Sequence, residues 1–240
     1  MVLARHSLYW QFPLLSILVS FPYGIEALSS LLDVANMALQ NAPSATRFVT
    51  HKKCPFAQKA WCALECLQTP YQLEEIPLYG ANGKPDWFWK LNPQGTVPVL
   101  VCHGGAVVFP DSDVILDQIE KGVVKGAVSL YPDDNEGDQR RIREWRDRIN
   151  AMLPVGKLCV LDQSAVALQP LLQSMDQAVV GPYLVGEQIT TADCHAFPFL
   201  WRLNDEFDLT EYKRLQSWLK TCEEQTAFRK TIQSSWWWWW

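Results

Sequence analysis

Short apolar runs and helical stripes alternate along the first half of the chain, and only helical stripes continue along the second. Thr46 to Thr50 is a run rich in branched and aromatic residues, which suits a strand. From Pro55, the positions Phe56, Ala60, Ala63, Leu64 and Leu67 recur at near-helical spacing, with Gln58, Lys59 and Glu65 assigned to the outer side. Tyr71 to Ile76 alternates as a second strand, and Pro85 to Leu91 reads as a short aromatic helix or turn. Val99 to Cys102 and Ala106 to Phe109 read as two strands joined by a tight hairpin turn at His103, Gly104 and Gly105. Asp111 and Ser112 then open a helix carrying Val114, Ile115, Leu116 and Ile119.

That order, βαβαββα, predicts an α/β thioredoxin-like domain over residues 45–122, with mixed strand directions implied by the hairpin. Residues 123–134, with Gly126, Pro132, Asp133 and Asp134, read as a linker. Strand signals nearly vanish afterwards, so 135–233 is expected to be an all-α domain. Its helices are placed at Glu136 to Met152, stopping before Pro154, at Ala165 to Val180, at Thr191 to Leu203, and from Glu211 to about Ile232 with a break. Thr190 and Asp193 have the spacing of a capping box, which assigns them to folding.

Both ends depart from this pattern. Ser7 to Ile25 is uncharged and apolar after Arg5, and Pro13, Pro22 and Gly24 interrupt it. Residues 1–44 read as a targeting presequence, with a membrane anchor or a start codon placed too early as the competing readings. Residues 234–240 end in five consecutive tryptophans, a low-complexity tail left out of the fold.

Across 240 residues the net charge is −5, and lysine and arginine form no long run, which argues against nucleic acid as a partner. Seven cysteines without close pairing do not form a disulfide framework and point to a reducing compartment, a plastid or other organelle stroma if the presequence is real. Cys62, Cys66, Cys102, Cys159, Cys194 and Cys222 are expected to be inert. Cys54 stands apart. It falls where a strand gives way to a helix, behind His51, Lys52 and Lys53, with Pro55 suited to the first helical position. Helix N-termini and neighbouring cations can bring a cysteine pKa from about 8.5 to roughly 3.5–7.5. The expectation is therefore a sulfur ionised at neutral pH, in an environment made by Lys53, Pro55 and Phe56. Ala57 rules out a Cys-x-x-Cys pair, so a resolving thiol has to come from a small soluble thiol.

Three segments in this order resemble the soluble glutathione transferase superfamily, and specifically its cysteine-type branch, the omega, lambda and dehydroascorbate reductase classes. They are Cys54-Pro55-Phe56-Ala57-Gln58, then Lys84-Pro85-Asp86-Trp87-Phe88 leading into Asn92-Pro93-Gln94-Gly95-Thr96-Val97-Pro98-Val99-Leu100, and Asp111-Ser112 at a helix start. The resemblance covers roughly residues 45–232. It implies glutathione as co-substrate, no metal, and Cys54 as a nucleophile that forms a mixed disulfide with glutathione.

By the same resemblance, Lys84 meets the glycyl carboxylate and Val97 pairs its backbone with the tripeptide ahead of a cis Pro98. Ser112 holds the γ-glutamyl carboxylate, and Asp111 faces the ammonium where a longer Glu is commoner. The activities implied are thiol transfer, dehydroascorbate reduction and deglutathionylation, on a small electrophilic, disulfide or dehydroascorbate-like substrate. Trp145, Ile149 and Met152 are the candidates for a substrate pocket between the domains. A homodimer is expected from the family. The rival readings are a non-catalytic scaffold or ligand carrier, and a membrane-inserting relative of the intracellular chloride channel proteins. Lys59, Glu65, Glu74 and Glu75 interrupt the apolar span that the second rival needs.

Overall fold

A four-stranded mixed sheet in the order β2-β1-β3-β4 organises the first half of the computed structural model, which describes residues 46–78 and 83–233. The expectations for residues 1–44 and for the tryptophan tail at 234–240 fall outside the described residues. The elements are β1 (Arg47–Thr50), α1 (Pro55–Leu67), β2 (Gln72–Glu75), α2 (Asp86–Leu91), β3 (Val99–Cys102), β4 (Val107–Pro110) and α3 (Ser112–Glu120). β1 runs parallel to β2 and antiparallel to β3, and β3 is antiparallel to β4. The hairpin is a single 3-10 turn at His103–Gly105. Ala106 belongs to it, with its amide on the His103 carbonyl at 3.3 Å, so β4 starts at Val107.

The helical half contains α4 (Glu136–Leu161), α5 (Gln169–Ala178), α6 (Thr191–Phe207), α7 (Lys213–Glu224) and α8 (Thr226–Arg229). α4 corrects the expected stop at Pro154. Its buried positions Ile142, Trp145, Ile149, Met152, Gly156 and Cys159 keep a three-four spacing straight across the proline. Burying that stripe outweighs the roughly 3 kcal/mol that an internal proline costs.

α1 also differs from the reading of its sequence. Gln58 and Lys59, assigned to the outer side, are each 1 % exposed. The helix packs against α3, α6 and α8 and shares its core with Phe48 and Leu100 of the sheet, so almost no face meets water. After α3 the chain returns to the end of α1, where the Ala127 amide donates to the Leu67 carbonyl at 2.8 Å. Gly126 permits this approach, because a Cβ there would lie 2.0 Å from that carbonyl oxygen.

At the front of α6 the capping box forms as the spacing predicts. Asp193 is fully buried and accepts from the Thr190 amide and hydroxyl, the Leu184 amide and the Trp218 indole, all between 2.7 and 2.9 Å. One carboxylate thereby ties α6 to the preceding loop and to α7.

Candidate functional site

Strand register assembles the site. Val49 of β1 pairs with Val99 of β3, and Val99 pairs with Pro110 of β4, so the next residues on all three strands emerge at one edge of the sheet. There β1 turns through His51 to Cys54, β3 begins just after Pro98, and β4 ends at Pro110, with Asp111 next.

Cys54 is the N-cap of α1, with Pro55 at the first helical position. A turn holds it, its amide donating to the His51 carbonyl at 2.9 Å. The residue is only 9 % exposed and belongs to an apolar cluster with Val49, Ala57, Ile76, Phe88, Val97 and Val99. This places Cys54 and Val97 in one group. The Val97–Pro98 peptide is cis, as the resemblance implies. The turn ahead of it is fixed by Asn92, whose Nδ2 donates to the Thr96 carbonyl at 2.8 Å and whose Oδ1 accepts from the Gln94 amide at 3.2 Å. Gly95 is required in that turn. Its φ is +68°, and a Cβ would stand 2.4 Å from the Trp89 ring.

Asp111 and Ser112 lie at the same edge. Asp111 has a φ of +80° and caps α3, its carboxylate accepting from the Asp113 amide at 2.7 Å. Its amide donates to the Pro98 carbonyl at 3.0 Å. Ser112 is the first residue of α3 and is 1 % exposed, beside the amides of a helix N-terminus, an arrangement suited to a carboxylate. Lys84 donates from Nζ to the Leu78 carbonyl at 2.9 Å and sits 5.8 Å from the centre of the Trp89 ring.

The electrostatics of Cys54 differ from the sequence expectation in two ways. Burial pushes its thiol up, against the Ala57 and Phe56 amides and the charges of Arg202 and Lys59, which pull it down. The two amides belong to the first turn of α1 and point at the sulfur from the positive end of the helix. Second, cations from elsewhere in the fold, Arg202 and Lys59, act on the sulfur. Glu75 takes up the local charge, lying 3.1 Å from Lys52 Nζ and 3.7 Å from His51 Nδ1, and Lys53 is exposed. Of the expected activating neighbours, Pro55 starts the helix, and Phe56 supplies an amide and packs edge-on against Phe199 at 5.3 Å.

Lys59 and Arg202 are the charges the sequence reading missed. Lys59 Nζ donates to Asp113 Oδ1 at 2.9 Å, and burial lowers its ammonium while Asp113 holds it up. Burial works against the charge on Asp113, yet His195 and Lys59 keep its carboxyl well below the usual range. Arg146 adds contacts to Asp117 at 2.7 Å and to Glu120 at 3.0 Å, so this network joins α1, α3, α4 and α6. Arg202 stands in the apolar run Phe197, Phe199, Leu200, Leu203, and a charged residue inside such a run was the available signal.

Trp145, Ile149 and Met152 do not line a cleft. All three are at most 2 % exposed inside the main core, because the stripe they form is the face that α4 packs inward. Among the described residues no group of His, Cys, Asp and Glu is arranged to hold a metal ion, and no helix is long and apolar enough to cross a membrane.

Family models for the glutathione S-transferase N-terminal domain and C-terminal domain match residues 53–121 and 158–226. Among curated relatives, the rice (Oryza sativa subsp. japonica) "Probable glutathione S-transferase DHAR1, cytosolic" is 31 % identical over 152 residues, covering 62 % of this chain and 67 % of the relative. The "Probable glutathione S-transferase DHAR2, chloroplastic" of the same plant is 29 % identical over 190 residues, covering 75 % and 65 %. The chain thus spans about two thirds of the length of these two relatives. Among solved structures, glutathione transferase Omega 3C from Trametes versicolor superposes with a TM-score of 0.69 at 21 % identity, covering 85 % of this chain and 96 % of that one, a likeness of fold.

Proposed function

Since this chain belongs to the glutathione S-transferase family and is a glutathione-dependent enzyme, we propose that it works as a thiol oxidoreductase through Cys54. Cys54 Sγ, as thiolate, attacks one sulfur of a disulfide between glutathione and a second thiol. The Sγ–S bond to the glutathionyl group forms, and the second thiol leaves with the electron pair and takes a proton from solvent. The thiolate of a free glutathione then attacks the glutathionyl sulfur, glutathione disulfide leaves, and Cys54 is restored. With dehydroascorbate as the oxidised partner, two glutathiones supply the two electrons and ascorbate is the product.

The observation that carries this reading is the convergence of Cys54, Val97 and the start of α3 on one sheet edge. In it, Val97 offers its backbone to the tripeptide as an added strand, Ser112 and the α3 amides take the γ-glutamyl carboxylate, and Asp111 meets the ammonium. The shorter reach of Asp111 and its use as a cap make that last contact the weakest. Lys84 takes the glycyl carboxylate by exchanging its present bond to the Leu78 carbonyl. Residues 45–122 are the glutathione-binding part, 123–134 the link and 135–233 the helical part. A homodimer in a reducing compartment, cytoplasm or plastid, completes the reading, and light scattering checks the dimer.

One observation favours the alternative of a non-catalytic carrier, namely that burial pushes the Cys54 thiol up. Replacing Cys54 with Ser and assaying hydroxyethyl disulfide and dehydroascorbate reduction with glutathione decides between them. The proposal requires both activities to fall at least a hundredfold, and unchanged activity would leave the carrier.

A further inference from the structure

Arg202 is 3 % exposed in the middle of α6, and among the described residues no carboxylate pairs with it. Its Nη1 donates to Gln58 Oε1 and to the Pro198 carbonyl, both at 2.6 Å. Its Nε is buried without a partner, and its Cζ lies 5.5 Å from the centre of the Trp201 ring. Gln58 is one turn beyond Cys54 on α1, its own amide closing on the Cys54 carbonyl at 2.9 Å. The guanidinium is therefore fastened below the first turn of the helix that Cys54 caps.

A buried cation without a counter-ion is costly, and arginine does not escape by losing its proton at neutral pH. Burial brings Arg202 down only to about 10. The ionisable groups it faces are Cys54 and Cys62. Cys62 is fully buried, lies 3.2 Å from Thr231 Oγ1 and is pushed far up by its burial, so it stays a thiol. Lys59, the other cation acting on Cys54, is committed to Asp113, and His51 and Lys52 are committed to Glu75. Of Lys59 and Arg202, only Arg202 makes no ion pair with a carboxylate among the described residues, and Cys54 is the neighbour able to become its anion.

The geometry points to Arg202 as the buried counter-cation of Cys54, a positioning residue that acts through the sulfur without touching substrate. The inference rests on the thiol chemistry proposed above and adds a consequence for its second half. While Cys54 is held in the mixed disulfide, its sulfur is neutral and Arg202 faces no anion. Attack by the second glutathione on the glutathionyl sulfur sends the electron pair of the breaking bond to Sγ and restores the charge pair. Arg202 thus favours both the attacking thiolate and its departure as a leaving group.

The test is the rate of alkylation by iodoacetamide from mildly acidic to alkaline pH, on the full chain, with the Cys54→Ser variant subtracted to isolate Cys54. Arg202→Gln keeps a donor for Gln58 and Pro198 but removes the charge, and Arg202→Lys keeps the charge. The expected result is a Cys54 midpoint raised by about one pH unit or more in Arg202→Gln and little moved in Arg202→Lys. A folded Arg202→Gln protein with the native midpoint overturns the inference. Should that variant not fold, Gln58→Met removes the oxygen that holds the fork. It is expected to raise the midpoint by a lesser amount, and no change overturns the inference equally. If the native protein and Cys54→Ser label alike, the proposed function falls with it; if Cys54 labels with a midpoint indifferent to Arg202, only the counter-cation does.

Discussion

The amide of Asp111 donates to the carbonyl of Pro98 at 3.0 Å, fastening the start of α3 to the cis-proline turn. This bond holds together two parts of the proposed glutathione cradle that are separated in sequence. It also fixes where the first amides of α3 point.

Ser112 follows directly from that geometry. A hydrogen bond to a charged group contributes about 1.5–3 kcal/mol, so Ser112→Ala should raise the KM for glutathione by about tenfold or more. Stability should change little. Steady-state kinetics at varied glutathione checks the first, and urea denaturation checks the second. An unaltered KM would remove Ser112 from the cradle.

His195 makes stability depend on pH. Burial, then the charges of Lys59 and Arg146, bring its imidazole down to about 4 against the pull of Asp113. The folded pKa is lower than the unfolded value of about 6.5, so the unfolded chain binds the extra proton. The contribution is therefore present above about pH 6.5 and is lost as pH falls towards 4, amounting to about 3 kcal/mol. Denaturant titrations across this window should show the native chain losing that much more stability than His195→Gln. Parallel curves would contradict the assignment.

Asp193 offers a test of the capping box. Removing a buried carboxylate leaves the amides of Thr190 and Leu184 and the Trp218 indole without their acceptor. Asp193→Ala should cost about 3 kcal/mol or more, read as a lower urea midpoint. A loss below about 1 kcal/mol would show that the box is dispensable.

Ile149 separates core from pocket. As a core residue, Ile149→Ala should cost about 2–5 kcal/mol while the folded fraction keeps its KM for both substrates. A changed KM with native stability would return it to a cleft wall.

Much of this arrangement was legible in the chain. Short branched and apolar runs located the four strands, and the Cys54-Pro55 and Asp111-Ser112 pairs marked two helix starts that the register brings to one edge. Pro154 misled because local chemistry marks a stop, while the stripe from Ile142 to Cys159 runs through it and packing decides. Lys59 and Gln58 misled for a related reason. Polar residues on one face predict a solvated face only if nothing packs there, and α3, α6 and α8 all do. The charge near Cys54 could not be read locally either. Glu75 draws off His51 and Lys52 from another strand, and Arg202 arrives from a helix nearly 150 residues later.

The central claim is that Cys54 carries the glutathionyl group, and mass spectrometry of the native chain treated with glutathione disulfide tests it most directly. The account predicts one glutathionyl group on the peptide containing Cys54, removed by added glutathione and absent from Cys54→Ser. A chain that stays unmodified at Cys54, or is modified only at Cys102 or another thiol, would contradict it.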